Sequence, residues 1–202
     1  GAVAYASGMG AVSGALFALL KSGDHAIFTK AKYSGTEDIT TDWLPRFGIS
    51  YDTFDAADLS QLEPLIKPNT KLIYIETPAN PTMVLVDIQG VVDIAKKHGL
   101  KVFVDNTFAS PYNTNPLDFG ADVVIHSLTK YIGGHGDLLG GAVVSNDVEF
   151  LRQCRLGTLM HFGSVIAPFT AFLASRGLKT LGVRMRQYNA NALKIARWLE
   201  NN

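Results

Sequence analysis

The sequence predicts an α/β fold, built from a mostly parallel sheet flanked by helices. Short runs of β-branched and apolar residues alternate along the chain with segments of helical period, which is the pattern of a layered α/β protein. Polar residues also follow three of the apolar runs, beginning at Glu76, Asp105 and Ser127. Because ligands of parallel sheets bind beyond the carboxyl ends of the strands, these positions are the first candidates for a site.

Each predicted element has a local signal. The strands, rich in β-branched and apolar residues, are predicted at 25–29, 49–54, 71–76, 101–105 and 123–127. Helices are predicted at 8–20, 36–44, 58–66, 88–98, 147–156 and 190–199. The helix at 88–98 has the clearest period, with Ile88, Val91, Val92 and Ala95 on one face and Gly99 as its cap. Beyond Gly141, only helical segments are expected.

Composition excludes several classes of protein. The 202 residues contain 18 Lys plus Arg and 18 Asp plus Glu, so no basic field favours nucleic acid. The longest apolar run, 15–20, is too short to cross a membrane. A single cysteine, Cys154, permits no internal disulfide, and we expect a cytoplasmic protein. The chain has neither a secretory signal nor an initiator Met, and we expect it to begin inside a longer one.

Common cofactor and metal motifs are missing from the sequence. Gly8-Met9-Gly10 is followed by Ser13 where a dinucleotide fingerprint has its third glycine, and no phosphate loop of the Gly-x-x-x-x-Gly-Lys type occurs. Ser50 has Asp52 where a hydrolase nucleophile elbow needs glycine. The five histidines form no metal-binding helical pair, and no metal is expected.

The remaining pattern suits a ligand that carries both a phosphate and an aldehyde. A helix that begins at Gly8 offers free backbone N–H groups to a phosphate. Ser127 and Thr129 add hydroxyls beside Lys130, and a buried lysine there could form a Schiff base with pyridoxal phosphate. Asp105 could keep the ring nitrogen of that cofactor protonated. The alternatives are a solvated Lys130, a turn-capping Asp105 and a plain helix cap at Gly8.

Seven segments in chain order resemble the Cys/Met metabolism family of pyridoxal-phosphate enzymes, which includes methionine γ-lyase, cystathionine γ-lyase and O-acylhomoserine sulfhydrylase. The segments are Ser-Gly-Met-Gly-Ala at 7–11, Tyr-Ser-Gly-Thr at 33–36, Glu-Thr-Pro-Ala-Asn-Pro at 76–81, Val-Asp-Asn-Thr at 104–107, His-Ser-Leu-Thr-Lys-Tyr at 126–131, Arg-Gly-Leu-Lys-Thr-Leu at 176–181 and Arg-Met at 184–185. The resemblance covers essentially the whole chain.

The resemblance implies a particular architecture. The expected fold is the seven-stranded large domain of fold type I, similar to that of aspartate aminotransferase. Residues 1–202 would be the cofactor-binding large domain, without the family's N-terminal arm and smaller C-terminal domain, and residues 181–202 a helix that leads toward that domain. The family also implies a homodimer or homotetramer with active sites shared between subunits.

The resemblance further implies a role for each site residue. Lys130 would carry pyridoxal phosphate as a Schiff base and move protons, while Asp105 would face the pyridine nitrogen. The backbone N–H groups of Gly8 and Met9, and the hydroxyls of Ser127 and Thr129, would bind the phosphate. Tyr33 would stack on the ring and protonate the leaving group. The remaining two residues expected close to the ring are Asn80, beside its hydroxyl, and Thr107.

Two of these residues also have ordinary structural explanations. Tyr33 could be a core aromatic with a satisfied hydroxyl, and Asn80, between two prolines, could simply shape a turn.

The expected chemistry is γ-elimination from methionine, cystathionine or homocysteine-type substrates, giving a 2-oxo acid, ammonia and a thiol. The alternatives are γ-replacement on O-acylhomoserine, by a sulfhydrylase or a cystathionine γ-synthase, and a cofactor-binding fragment without turnover. Gly35 stands where methionine γ-lyases of the family carry a cysteine, which counts against a methionine-specific enzyme.

Overall fold

Seven strands form one sheet in the computed structural model, which describes residues 1–202. They are β1 (Ala2–Tyr5), β2 (His25–Thr29), β3 (Ser50–Phe54), β4 (Thr70–Glu76), β5 (Lys101–Asp105), β6 (Val123–Ser127) and β7 (Gly141–Ser145). Their order across the sheet is β1-β7-β6-β5-β4-β2-β3. Only β7 runs antiparallel to its neighbours, so the expected mostly parallel, seven-stranded sheet is confirmed.

The inner strands are nearly continuous apolar runs because helices cover both faces of the sheet. All five residues of β2 are buried, as are six of the seven in β4. The predicted strands 25–29, 101–105 and 123–127 match β2, β5 and β6 residue for residue. The other two predicted strands differ from β3 and β4 by one residue at the start.

Helices occupy the connections between strands. They are α1 (Gly8–Leu19), α2 (Ser34–Asp38), α3 (Ile88–Lys97), α4 (Ser110–Asn113), α5 (Val148–Gln153), α6 (Met160–Phe162), α7 (Pro168–Leu178) and α8 (Leu181–Glu200). The first helix packs in the larger apolar cluster and α3 in a second one. The side chain of Asp87 caps α3 by accepting the Gly90 N–H at 3.1 Å, and the predicted face of α3 is buried.

Several sequence predictions were wrong in detail. The expectation of helices alone beyond Gly141 fails because β7 begins there; β1 was also missed, being four residues long with two alanines. The predicted helix 58–66 is two 3-10 turns, and Pro64, which has no N–H to donate, lies in the second. The helix 36–44 continues from α2 as a π turn. The last helix begins at Leu181 rather than at 190, and α7 was missed.

The parallel strands bring their carboxyl ends to one edge of the sheet. Glu76 ends β4, Asp105 ends β5 beside it in register, and Ser127 ends β6. The first helix starts at the same edge, because β1 runs in the direction of β6 and α1 follows it directly. None of the helices is both long enough and apolar enough to cross a membrane.

Candidate active site

A cavity of about 200 Å³ lies at this carboxyl edge of the sheet. All nine residues that the sequence predicted for the site line it: Gly8, Met9, Tyr33, Asn80, Asp105, Thr107, Ser127, Thr129 and Lys130. Four further residues line it that were not predicted: Ser7, Glu76, Phe108 and Leu139. The structure thus joins residues from six segments of the chain into one place, while their individual roles stay predictions.

The start of α1 forms one end of the cavity. The Ser7 hydroxyl accepts the Gly10 N–H at 2.9 Å, and the Ser7 carbonyl accepts the N–H of Ala11 at 3.1 Å. The two earlier amides, of Gly8 and Met9, have no carbonyl one turn before them within the helix. With the positive end of the helix dipole, they suit a phosphate.

Gly8 is required here by close packing. A Cβ atom at this position would lie 2.9 Å from both Cβ and Oγ of Ser127. Only glycine therefore lets the first turn of α1 approach the end of β6, where the Ser127 hydroxyl adds a donor beside the two amides.

Two threonines tie the walls of the cavity together. The Thr107 hydroxyl accepts the Ser127 N–H at 2.9 Å and so links the ends of β5 and β6. The Thr129 hydroxyl accepts the Gly140 N–H at 3.1 Å and donates to the Gly140 carbonyl at 3.3 Å. Because its proton is directed to that carbonyl, donation by Thr129 to a phosphate would require the hydroxyl to rotate.

Lys130 lies in a π turn, Leu128–Ile132, that follows β6, and its own backbone departs from helical geometry at φ −92° and ψ −122°. Its side chain is exposed, so the expectation of a buried lysine was wrong: the turn leaves this residue at the open side of the cavity. Arg184 holds the turn by donating to the carbonyls of Tyr131 at 2.6 Å and Ile132 at 3.2 Å.

Asp105 is a buried carboxylate with neutral partners only. It accepts the Thr107 N–H at 3.0 Å and the Tyr74 hydroxyl at 3.4 Å. None of the protein's seven ion pairs includes it or Lys130. Burial, more than any neighbour, raises the pKa of Asp105. A cation placed beside this carboxylate would therefore be bound strongly.

Glu76 was recognised in the sequence as a polar strand end, but no role in the site was predicted for it. It is 5% exposed, and its two oxygens accept backbone N–H groups from separate segments, Tyr33 at 2.7 Å and Asn80 at 2.9 Å. Burial and the neighbouring Asp105 raise the pKa of Glu76 to about 7. The available signal was its position at the end of β4, where it opens one of the polar strand ends.

Tyr33 precedes α2 and is 41% exposed, so the alternative explanation of a buried core aromatic is wrong. Its ring lies against Gly35 and Met9: a Cβ atom on Gly35 would come within 2.8 Å of the ring and 2.9 Å of the Met9 sulfur. A larger residue at 35 would therefore displace the Tyr33 ring or Met9.

The arrangement fits the three polar demands of pyridoxal phosphate. A helix start with free amides suits the phosphate, and the lysine amine suits the aldehyde. The buried carboxylate of Asp105, which lacks a cation, suits a protonated pyridine nitrogen.

Comparison with known proteins agrees with this chemistry. The profile of the family described as "Cys/Met metabolism PLP-dependent enzyme" matches residues 1–202. The chain belongs to this family. Pyridoxal phosphate is accordingly the cofactor of the site, and the fold is that of fold type I enzymes.

Individual relatives of the family have different activities. L-methionine gamma-lyase of Porphyromonas gingivalis is 45% identical over 98% of this chain and 50% of its own length. Cystathionine gamma-synthase of Mycobacterium leprae is 45% identical over 97% and 50%. The crystal structure of cystathionine gamma-lyase from Lactobacillus plantarum, complexed with L-serine, superposes with a TM-score of 0.95 at 40% identity, over 98% of this chain and 52% of that one. The chain spans about half the length of the relatives it matches.

Proposed function

We propose that the protein acts in sulfur amino-acid metabolism as a pyridoxal-phosphate-dependent lyase. The proposed reaction is γ-elimination from methionine, cystathionine or homocysteine-type substrates, with a 2-oxo acid, ammonia and a thiol as products. The observation that carries the proposal is the meeting of Lys130, Asp105 and the start of α1 in one cavity.

The chain's own residues divide the work of binding. The amides of Gly8 and Met9, with the Ser127 hydroxyl, hold the phosphate. Asp105 would hold a proton on the ring nitrogen of the cofactor, whose chemistry when bound is to accept electrons from the α-carbon of an amino acid. Asn80 and Thr107 complete the walls of the cavity.

Two residues move protons. Lys130 Nζ would hold the cofactor covalently and would transfer protons to and from carbon atoms of the substrate. The aromatic ring of Tyr33, partly exposed at the cavity, would stack on the cofactor ring, and its hydroxyl would protonate the departing γ-substituent.

A second candidate reaction is γ-replacement, in which a thiol adds where the γ-substituent left. The chain is 45% identical in sequence both to a methionine gamma-lyase and to a cystathionine gamma-synthase, which supports γ-replacement as a second candidate. Gly35 supports the same choice, because the cysteine expected of a methionine-specific enzyme is not there.

We also propose that residues 1–202 act as the cofactor-binding large domain, with residues 181–202 leading toward a further domain. The proposed assembly is a homodimer or homotetramer whose subunits share their active sites, and the proposed compartment is the cytoplasm. The exposed aromatic side chains of Trp43, Phe47 and Phe162 line one surface groove and support an assembly, because contiguous exposed apolar patches mark interaction surfaces.

A substrate panel tests the proposal. The protein is mixed with pyridoxal phosphate, the visible band of lysine-bound cofactor is recorded, and L-methionine, L-cystathionine or O-acetyl-L-homoserine with a thiol is added. Release of 2-oxo acid supports elimination, and a new thioether without 2-oxo acid supports replacement. A band without turnover indicates a cofactor-binding fragment, and the absence of a band contradicts the proposal.

A further inference from the structure

We infer that Glu76 is a positioning residue, which fixes Tyr33 and Asn80 at the cofactor cavity by accepting both of their backbone N–H groups. The two bonds are 2.7 Å and 2.9 Å long, within the range of well-formed N–H···O hydrogen bonds. The inference rests on the proposed function for the identity of the ligand that Tyr33 and Asn80 face.

The geometry favours positioning over direct catalysis. Each oxygen of Glu76 accepts a backbone amide, and the side chain is buried, so the contacts of this carboxylate are with the protein's own backbone. One bond is long-range and one is local: Tyr33 precedes α2, 43 residues before Glu76, and Asn80 lies four residues after it in the connection between β4 and α3. The end of β4 thereby fixes the positions of Tyr33 and Asn80 in the wall of the cavity.

A carboxylate is the residue type that this task needs. Two amide donors converge on one side chain, and glutamine would point its own NH₂ group at one of them. The charged carboxylate of Glu76 lowers the stability of the fold, because it is buried beside Asp105 and forms no ion pair. Asp105 offers a cation-binding carboxylate nearby, whereas Glu76 offers two acceptors for the protein's own backbone.

Amide hydrogen exchange on the cofactor-free protein tests the two bonds directly. In Glu76→Gln, we expect the Tyr33 or Asn80 amide to exchange about tenfold faster. The loss of a hydrogen bond to a carboxylate raises the local opening equilibrium by about this factor. The matched control is Asp122→Asn at the opposite edge of the sheet, where the carboxylate accepts the Val102 N–H at 2.9 Å. It should accelerate exchange at Val102 and leave Tyr33 and Asn80 unchanged.

The affinity for pyridoxal phosphate tests the consequence. Glu76→Gln should weaken binding about tenfold in the wild-type background. With Tyr33→Ala and Asn80→Ala already present, it should weaken binding by less than about twofold, because the side chains that it positions are gone. Glu76→Asp, which is too short to reach both amides, serves if the glutamine variant does not fold.

The outcomes separate the two proposals. Unchanged exchange at Tyr33 and Asn80, or a full tenfold loss in the double-variant background, would overturn the positioning role while the function stands. A wild-type protein that does not bind pyridoxal phosphate would overturn the proposed function, and the exchange result would still decide whether Glu76 holds the two segments.

Discussion

Carboxylates at the two edges of the sheet differ in whether they form ion pairs. The amino edge is the opposite side of the sheet, where the parallel strands begin. Near this edge, Asp52 pairs with Lys67 at 2.6 Å and with His25 at 3.1 Å, and Asp122 pairs with Lys101 at 2.8 Å. At the carboxyl edge, neither Asp105 nor Glu76 has a cationic partner within ion-pair distance.

The pKa values follow this division. The hydrogen bond from Lys67 lowers the pKa of Asp52, so the folded state stabilises its charge. Burial raises the pKa of Asp105 and Glu76, so the folded state opposes their charge. The carboxylates at the amino edge are thus neutralised by the protein's own cations, whereas those at the carboxyl edge are not, which suits the proposed binding of a cationic group there.

The largest expected effect comes from removing the amine at the carboxyl edge. Lys130→Ala should abolish the visible band of the bound cofactor and lower turnover about a thousandfold or more, because both the covalent link and the proton carrier are lost. Absorbance titration and 2-oxo acid release measure it. Lys101→Ala, at the amino edge, should retain both properties, and an equal loss there would erase the contrast between the edges.

Neutralising one carboxylate at each edge should change stability in opposite directions. Asp105→Asn should stabilise the cofactor-free protein by about 1 kcal/mol, because an unpaired buried charge disappears, while it weakens cofactor binding. Asp52→Asn should destabilise it by about 0.5 to 1 kcal/mol, because a partly exposed ion pair is lost. Urea denaturation at pH 8 measures both, and the same sign for the two variants would contradict the comparison.

Close packing at the carboxyl edge gives the next effect. Gly8→Ala places a methyl group 2.9 Å from Ser127 and should cost about 1 to 3 kcal/mol in the free energy of unfolding. Affinity for pyridoxal phosphate should fall as well. Gly157→Ala is the matched control, since a methyl group there meets nothing within 4 Å, and thermal unfolding should show no loss of stability. Equal tolerance at both positions would argue against the tight approach of α1 to β6.

The remaining effect is a pH dependence. The pKa of Glu76 is raised to about 7 in the folded protein from about 4.3 in an unfolded chain. Its contribution to stability is therefore fully present below about pH 4.3 and is lost as pH rises through 7. His126, whose pKa burial lowers to about 4, acts in the opposite direction.

The difference between variants isolates the Glu76 contribution. Relative to wild type, cofactor-free Glu76→Gln should become more stable as pH rises from about 5 to 8, by about 1 kcal/mol or more. Urea midpoints across this range measure the change. A difference that stays constant with pH would mean that Glu76 does not titrate there.

The sequence predicted the carboxyl edge better than the outer parts of the fold. Buried parallel strands such as β5 are continuous apolar runs that end sharply at a polar residue, so both the strand and Asp105 could be found locally. In contrast, β7 begins with glycine and alanine and gains its identity from pairing with β1 and β6. Such long-range pairing leaves little trace in a local window.

The role of Glu76 was not predicted for a related reason. Its importance lies in two backbone bonds to residues 43 positions before it and 4 positions after it, and backbone donors have no sequence signal. The exposure of Lys130 was equally hidden, because it depends on the non-helical turn that carries this residue.

The most direct test of the account is to map the covalent site of the cofactor. The wild-type protein is loaded with pyridoxal phosphate, reduced with borohydride, digested and analysed by mass spectrometry. We expect a single stable adduct on Lys130, in the cavity that the buried carboxylate of Asp105 also lines. An adduct on another lysine, such as the buried Lys32, with Lys130 unmodified, would contradict it.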